Sequence, residues 1–192
     1  MFTVGFLLLD AARMHGEIFR ARELNPEHTC LYEGDSERFL SAVAPWLFNL
    51  EHGSAFAQWV AENGSTQSWG VLLRCAEDSV QLYKHLRNFL IVESEDGHEM
   101  YFRYYDPRVL RVFLPTCERE QLHAFFGPIE AFVAEDAQGQ VVEYRLDTEG
   151  ALEIEFTGQT LGEFLQANKR ADAQPQAAPS ADEKKGSWDF GY

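Results

Sequence analysis

Apolar and polar positions fall into short blocks along this chain, and the blocks change character about halfway. Val4–Leu9 is a continuous apolar run stopped by Asp10, the pattern of a buried strand. A short helix is predicted over Ala12–Arg22, weakened by Gly16 in its middle, and a short strand over Cys30–Glu33. Asp35 offers an N-cap to a helix presenting Phe39, Leu40 and Val43, which Pro45 closes. Trp46–Leu50 returns as a strand. Phe56, Trp59 and Val60 share a helical face, and Asn63-Gly64 supplies a left-handed stop. Trp69–Arg74 reads as another strand, and Asp78–Asn88 as a helix with Leu82, Leu86 and Phe89 in one stripe. This alternation predicts βαβ-like layering.

The second half reads differently. Phe89–Glu93 and Glu99–Tyr105 are strands joined by a turn at Glu95-Asp96-Gly97, a hairpin signal. Asp106-Pro107 is an N-cap followed by proline at the first helical position. That helix, Pro107–Leu114, ends at Pro115. A second begins near Thr116, buries Leu122, Phe125 and Phe126, and stops at Gly127-Pro128. Ile129–Glu135 and Gln140–Leu146 form another hairpin, Leu152–Phe156 adds a strand, and Thr160-Leu-Gly-Glu163 is a capping box for a short helix. The fold class is therefore α/β (mixed α+β): an alternating N-terminal part, then two hairpins with two short helices between them. Three regions are expected: a domain over 1–135, an extension over 136–168, and a polar linker over 169–192 ending in an aromatic motif.

Composition narrows the function. Apolar residues make up 45% of the chain, with 15 Phe, 7 Tyr and 4 Trp, enough for a sizeable core. The formal charge is −15, and no segment is net basic. A phosphate backbone or an anionic membrane is therefore not an expected partner. Cys30, Cys75 and Cys117 are odd in number and widely spaced, neither a disulfide framework nor a zinc knuckle. The opening MFTVGFLLLD has no basic stretch before its short apolar run, so a cytoplasmic protein is expected rather than a secreted one.

No G-x-S-x-G, Walker or G-x-G-x-x-G pattern occurs, and the six histidines never pair as H-x-x-x-H. Catalytic, cofactor and metal residues are accordingly expected to be none, and no enzyme is predicted. Asp10 ends a strand, where haloacid-type phosphatases place a nucleophile, but the acid such chemistry wants two positions on is Ala12 here. Capping of the next helix is the preferred role.

The candidate partner-binding residues lie elsewhere. Strand alternation puts Tyr101, Arg103 and Tyr105 on one face and Met100, Phe102 and Tyr104 on the other. An arginine between two tyrosines suits an interface; the same pattern also fits a half-buried sheet face with Arg103 reaching water. Asp106 caps the next helix, on which Arg108 and Arg111 form a basic ridge, either a solvated face or a docking site for an acidic partner. Beyond the linker, Trp188, Phe190 and Tyr192 crowd three aromatics together, to fold back on the domain or to dock on a partner.

The run from His85 to Pro128 resembles the adaptor-chaperone family of bacterial type VI secretion. The likeness rests on His85-Leu-Arg87, the hairpin, Phe102-Arg-Tyr-Tyr-Asp-Pro-Arg-Val-Leu110 and Phe125-Phe-Gly-Pro128. Leu7–Ala12, Leu31-Tyr-Glu-Gly34, Ala44-Pro-Trp-Leu47 and Trp69-Gly-Val-Leu-Leu73 follow in order. The resemblance covers about residues 5–130. It implies a non-catalytic adaptor that binds a toxic effector in the cytosol and loads it onto a VgrG spike protein. Two rival functions remain: an immunity protein that masks a toxin, and a small hydrolase with a site not recognisable from sequence.

Overall fold

The structure, a computed structural model, describes residues 5–50, 54–94 and 96–172. Its elements are mixed α+β, as expected. Strands β1 (Phe6–Asp10), β2 (His28–Cys30), β3 (Pro45–Asn49), β4 (Gly70–Cys75), β7 (Ile129–Glu135), β8 (Val141–Leu146) and β9 (Leu152–Phe156) build one sheet. Its order is β2-β3-β1-β4-β7-β8-β9. Strands β5 (Ile91–Glu93) and β6 (Glu99–Tyr101) form a separate hairpin. The helices are α1 (Ile18–Leu24), α2 (Gly34–Leu40), α3 (Ala55–Gly64), α4 (Ser79–Arg87), α5 (Pro107–Phe113), α6 (Arg119–Phe126) and α7 (Leu161–Asp172).

Every pairing in the large sheet is antiparallel, which corrects the βαβ expectation. The reason lies in burial. All five residues of β1 are buried, because helices cover both faces of the central strands. A strand covered on both sides reads as an unbroken apolar run whichever way its neighbours point.

Side-chain alternation divides the interior into two cores. Leu7, Leu9, Trp46, Phe48, Leu72 and Val133 face one side, under α1, α3 and α7. Leu8, Leu47, Val71, Leu73 and Phe132 face the other, under α4, α5 and α6. Phe125 centres the second core: it stacks on Phe132 at 5.1 Å and meets Tyr104, Phe113 and Phe89 edge-on. Each such pair adds about 0.5–1.5 kcal/mol beyond area burial.

Residues 136–168 supply β8, β9 and most of α7, and they extend this sheet and its first core. Arg74 on β4 reaches across β7 to Glu143 on β8, with two hydrogen bonds of 3.2 Å between nearly buried side chains.

Local chemistry explains most helix ends. Asp78 accepts from the Val80 and Gln81 N–H groups, both at 2.9 Å, and so opens α4. Gly127 (φ +50°) closes α6, and the Thr160–Glu163 box opens α7. Three expectations need correction. The segment after β1 is a 3-10 turn (Ala11–Arg13) and then α1, separated by left-handed His15 and Gly16. Glu33, not Asp35, holds the N-cap position of α2, and Phe39, Leu40 and Val43 are exposed rather than packed. Gly64 is not a left-handed stop. A Cβ there would lie 2.9 Å from the Trp69 ring, so the position is small for packing, and the left-handed residues are Thr66 and Ser68.

Candidate functional site

At the end of β1 the apolar run delivers a carboxylate into the interior. Asp10 has no exposed surface. It accepts from the Ala12 N–H at 3.1 Å, as a cap should, and from the Arg103 guanidinium. Burial raises its pKa, partly offset by Arg103.

Arg103 stands in the stretch that leaves the hairpin. Strand β6 ends at Tyr101, so alternation does not carry through to residue 105, and the expected Tyr101, Arg103, Tyr105 face is not formed. Tyr104 and Tyr105 are both buried. The Tyr104 hydroxyl donates to the Leu86 carbonyl at 2.8 Å. Burial pushes both phenols up, Tyr105 also through its neighbour Tyr32, so neither serves as a base near neutrality. Tyr101 remains 53% exposed, its ring 5.4 Å from that of Tyr32.

Asp106 is the second buried carboxylate, 2% exposed. It caps α5 through the Arg108 N–H at 3.0 Å, and the Arg108 Nε donates to the same oxygen at 2.9 Å. Burial alone would raise its pKa; the hydrogen bonds and charge of Arg108 outweigh that and hold it below the usual value. Arg103 and Arg108 thus share one design. Each guanidinium is tethered by a buried carboxylate and keeps close to half of its side chain in solvent, 40% and 45%.

Helix α5 carries Arg108 and Arg111 one turn apart. Arg108 turns back onto Asp106, while Arg111 is half-buried and lies near Tyr144 of β8. Tyr101, Arg103, Asp106 and Arg108 therefore belong to one constellation, with Tyr105 beneath it and Arg111 apart. Trp188, Phe190 and Tyr192 lie outside the described residues.

Sequence reasoning missed what this constellation leans on. Glu33 accepts from the Tyr83 hydroxyl at 2.8 Å and pairs with Arg87, which joins Tyr32-Glu33-Gly34 to α4. His85 Nε2 donates to the Phe125 carbonyl at 2.8 Å, and its ring fills the space where a Cβ on Gly127 would sit, 2.7 Å from Nδ1. Leu31–Gly34, His85–Arg87, Phe102–Leu110 and Phe125–Pro128, separate in sequence, thereby lock together on one side of the sheet. No local pattern shared by the four segments announces this: Glu33, His85 and Gly127 find their partners only across tens of residues.

Burial raises the pKa of Cys30, Cys75 and Cys117, which keeps them as thiols near neutrality. Among the described residues no three His, Cys, Asp or Glu side chains cluster as metal ligands, and no helix is long and apolar enough to cross a membrane. Residues 5–124 match a family described as a domain of unknown function, DUF4123. No curated protein and no solved structure matches the chain.

Proposed function

The chain belongs to the DUF4123 family, and from that membership we propose that it is a non-catalytic cytoplasmic adaptor of bacterial type VI secretion. It holds a toxic effector and delivers it to a VgrG spike, using surfaces and no cofactor. The observation that carries the reading is the coincidence of two spans. The family match ends within the His85–Pro128 run whose motifs resemble the type VI adaptors, and it contains most of that run.

The geometry is of the kind such a task needs. Two guanidiniums held by buried carboxylates are pre-oriented, so little side-chain entropy is lost when a partner meets them. Tyr101 beside them offers a rigid amphipathic ring. Asp10, the one group with a nucleophile's position, is enclosed and already bonded, which favours binding over hydrolysis.

Capture from a cognate lysate tests this. The purified chain should retain one effector and one VgrG, and deletion of its gene should abolish export of that effector while leaving its synthesis intact. Export at the parental level in the deletion strain would defeat the proposal. Neutralisation of the toxin in cells that lack any spike protein would replace it with the immunity reading.

A further inference from the structure

The sheet ends on β9, and this edge is built differently from the other. Strand β2 is three residues long, with His28 against the rings of Trp46 and Phe48. Strand β9 has five residues, Glu153–Phe156 are exposed, and it pairs only with β8 among the described residues. The Thr157 N–H donates to the Val141 carbonyl at 3.1 Å, which sets the ladder's phase. Glu153 and Glu155 therefore bond to β8, while Leu152, Ile154 and Phe156 turn their N–H and C=O groups outward.

The two faces of this edge differ in chemistry. Leu152, Ile154 and Phe156 lie on one face, opposite Leu146, Tyr144 and Val142 of β8. Ile154 is 40% and Phe156 71% exposed. Beside them runs an apolar groove walled by Leu114, Pro115, Cys117, Leu122, Leu152 and Ile154, with Arg119 at its rim. The opposite face carries Glu143, Glu153 and Glu155 around Arg145, which bonds to Glu155 at 2.5 Å. Arg74 joins from below through Glu143. Three carboxylates against two guanidiniums leave one negative charge in excess, and Glu153 and Glu155 each expose more than half of their side chains.

We infer that β9 and its groove receive an extended segment of a partner protein, which adds as a further strand with apolar side chains towards the groove and lysines or arginines over Glu153 and Glu155. The open donors and acceptors supply the ladder, and the groove and the glutamates supply the selectivity. A second copy of this chain is a poor occupant: two β9 strands related by a two-fold axis would set glutamates against glutamates, between bodies of net charge −15. The segment 187–192 of this chain has its aromatics at alternate positions, but between them it would lay Asp189 on the glutamate face. This edge lies beyond residues 5–124, and the inference stands apart from the type VI assignment.

The test uses the full chain and capped peptides of about seven residues, one alternating lysine with valine and one alternating glutamate with valine, read by fluorescence anisotropy. The lysine peptide should bind about tenfold more tightly than the glutamate peptide at low salt, with the preference shrinking as salt rises. Glu153→Lys with Glu155→Lys should invert it. Ile154→Pro removes an outward N–H without touching the bonds to β8, and should abolish binding while its unfolding midpoint confirms an intact fold. Equal binding of the two peptides, or binding unchanged by Ile154→Pro together with no inversion in the charge variant, would overturn the proposal. So would a dimer in sedimentation that Ile154→Pro dissolves. A gain in peptide affinity on replacing Trp188 and Phe190 with alanine would assign the edge to the chain's own aromatic segment and overturn it equally.

Discussion

Arg103 donates to the buried carboxylate of Asp10 across 93 positions of sequence. That contact fixes the exit of the β5–β6 hairpin to the end of the central strand, and Asp106, three residues later, repeats the device with Arg108. The F-R-Y-Y-D-P-R-V-L run is thus a structural clasp that buries both of its tyrosines and leaves two guanidiniums at the surface, beside the exposed Tyr101 that precedes it.

Removing the guanidinium should expose the cost of burying Asp10. Arg103→Ala is expected to lose about 2 kcal/mol at pH 7, less than for a fully buried pair because Arg103 is partly solvated. The pKa of Asp10 is raised in the native state, so the native form binds the proton more tightly than the unfolded chain. Its contribution is most favourable below 3.8 and declines as pH rises through the native value. Without Arg103 that value rises further. The gap between variant and wild type in urea unfolding should therefore narrow on acidification; a constant gap from pH 4 to pH 8 would contradict this account.

Asp106 has the opposite sign. Its native pKa is lowered, so its stabilising contribution is present above 3.8 and disappears as pH falls through the lower native value. Asp106→Ala removes a cap and an ion pair and should cost about 2 kcal/mol at pH 7. Asp106→Asn retains the cap and should recover part of the loss. Thermal unfolding of the two variants at pH 7 and pH 3 separates the contributions.

The Arg74–Glu143 bond predicts a sharp asymmetry. Glu143→Gln strands a buried guanidinium and should destabilise by about 3 kcal/mol. Replacing both residues with leucine should restore much of that, because no buried charge is then left without its partner. A double variant as unstable as the single one would mean that the site cannot repack.

Gly127 is required by conformation and by space. Alanine there meets a positive φ and the His85 ring, and a loss of about 1–3 kcal/mol is expected. His85→Ala should relieve the steric part alone, so the double variant should be less unstable than the sum of the two singles.

The capped helices were legible in the sequence because their signals are local: Asp78, Asp106-Pro107, Gly127 and the Thr160–Glu163 box each act within a turn of themselves. Strand order was not legible. β1 looks alike with parallel or antiparallel neighbours, and only pairing across tens of residues decides. Within the site, Asp106 as a cap could be read directly, whereas Arg103 and Tyr105 were misplaced because the strand was carried four residues too far. Asp10 at the foot of a fully apolar run was the clue to a buried carboxylate in need of a cation, but nothing in its neighbourhood in sequence names Arg103.

The sheet order also sets a schedule for synthesis. β1 can pair with β3 and β4 once residue 75 has left the ribosome, yet the other side of β4 waits for β7, whose first residue is 129. At roughly 5–20 residues per second, the unpaired, apolar flank of β4 stays open for several seconds during translation. The nascent chain is therefore most prone to aggregation in that interval, and a slow codon placed between positions 80 and 128 should lower soluble yield more than the same codon placed after position 146.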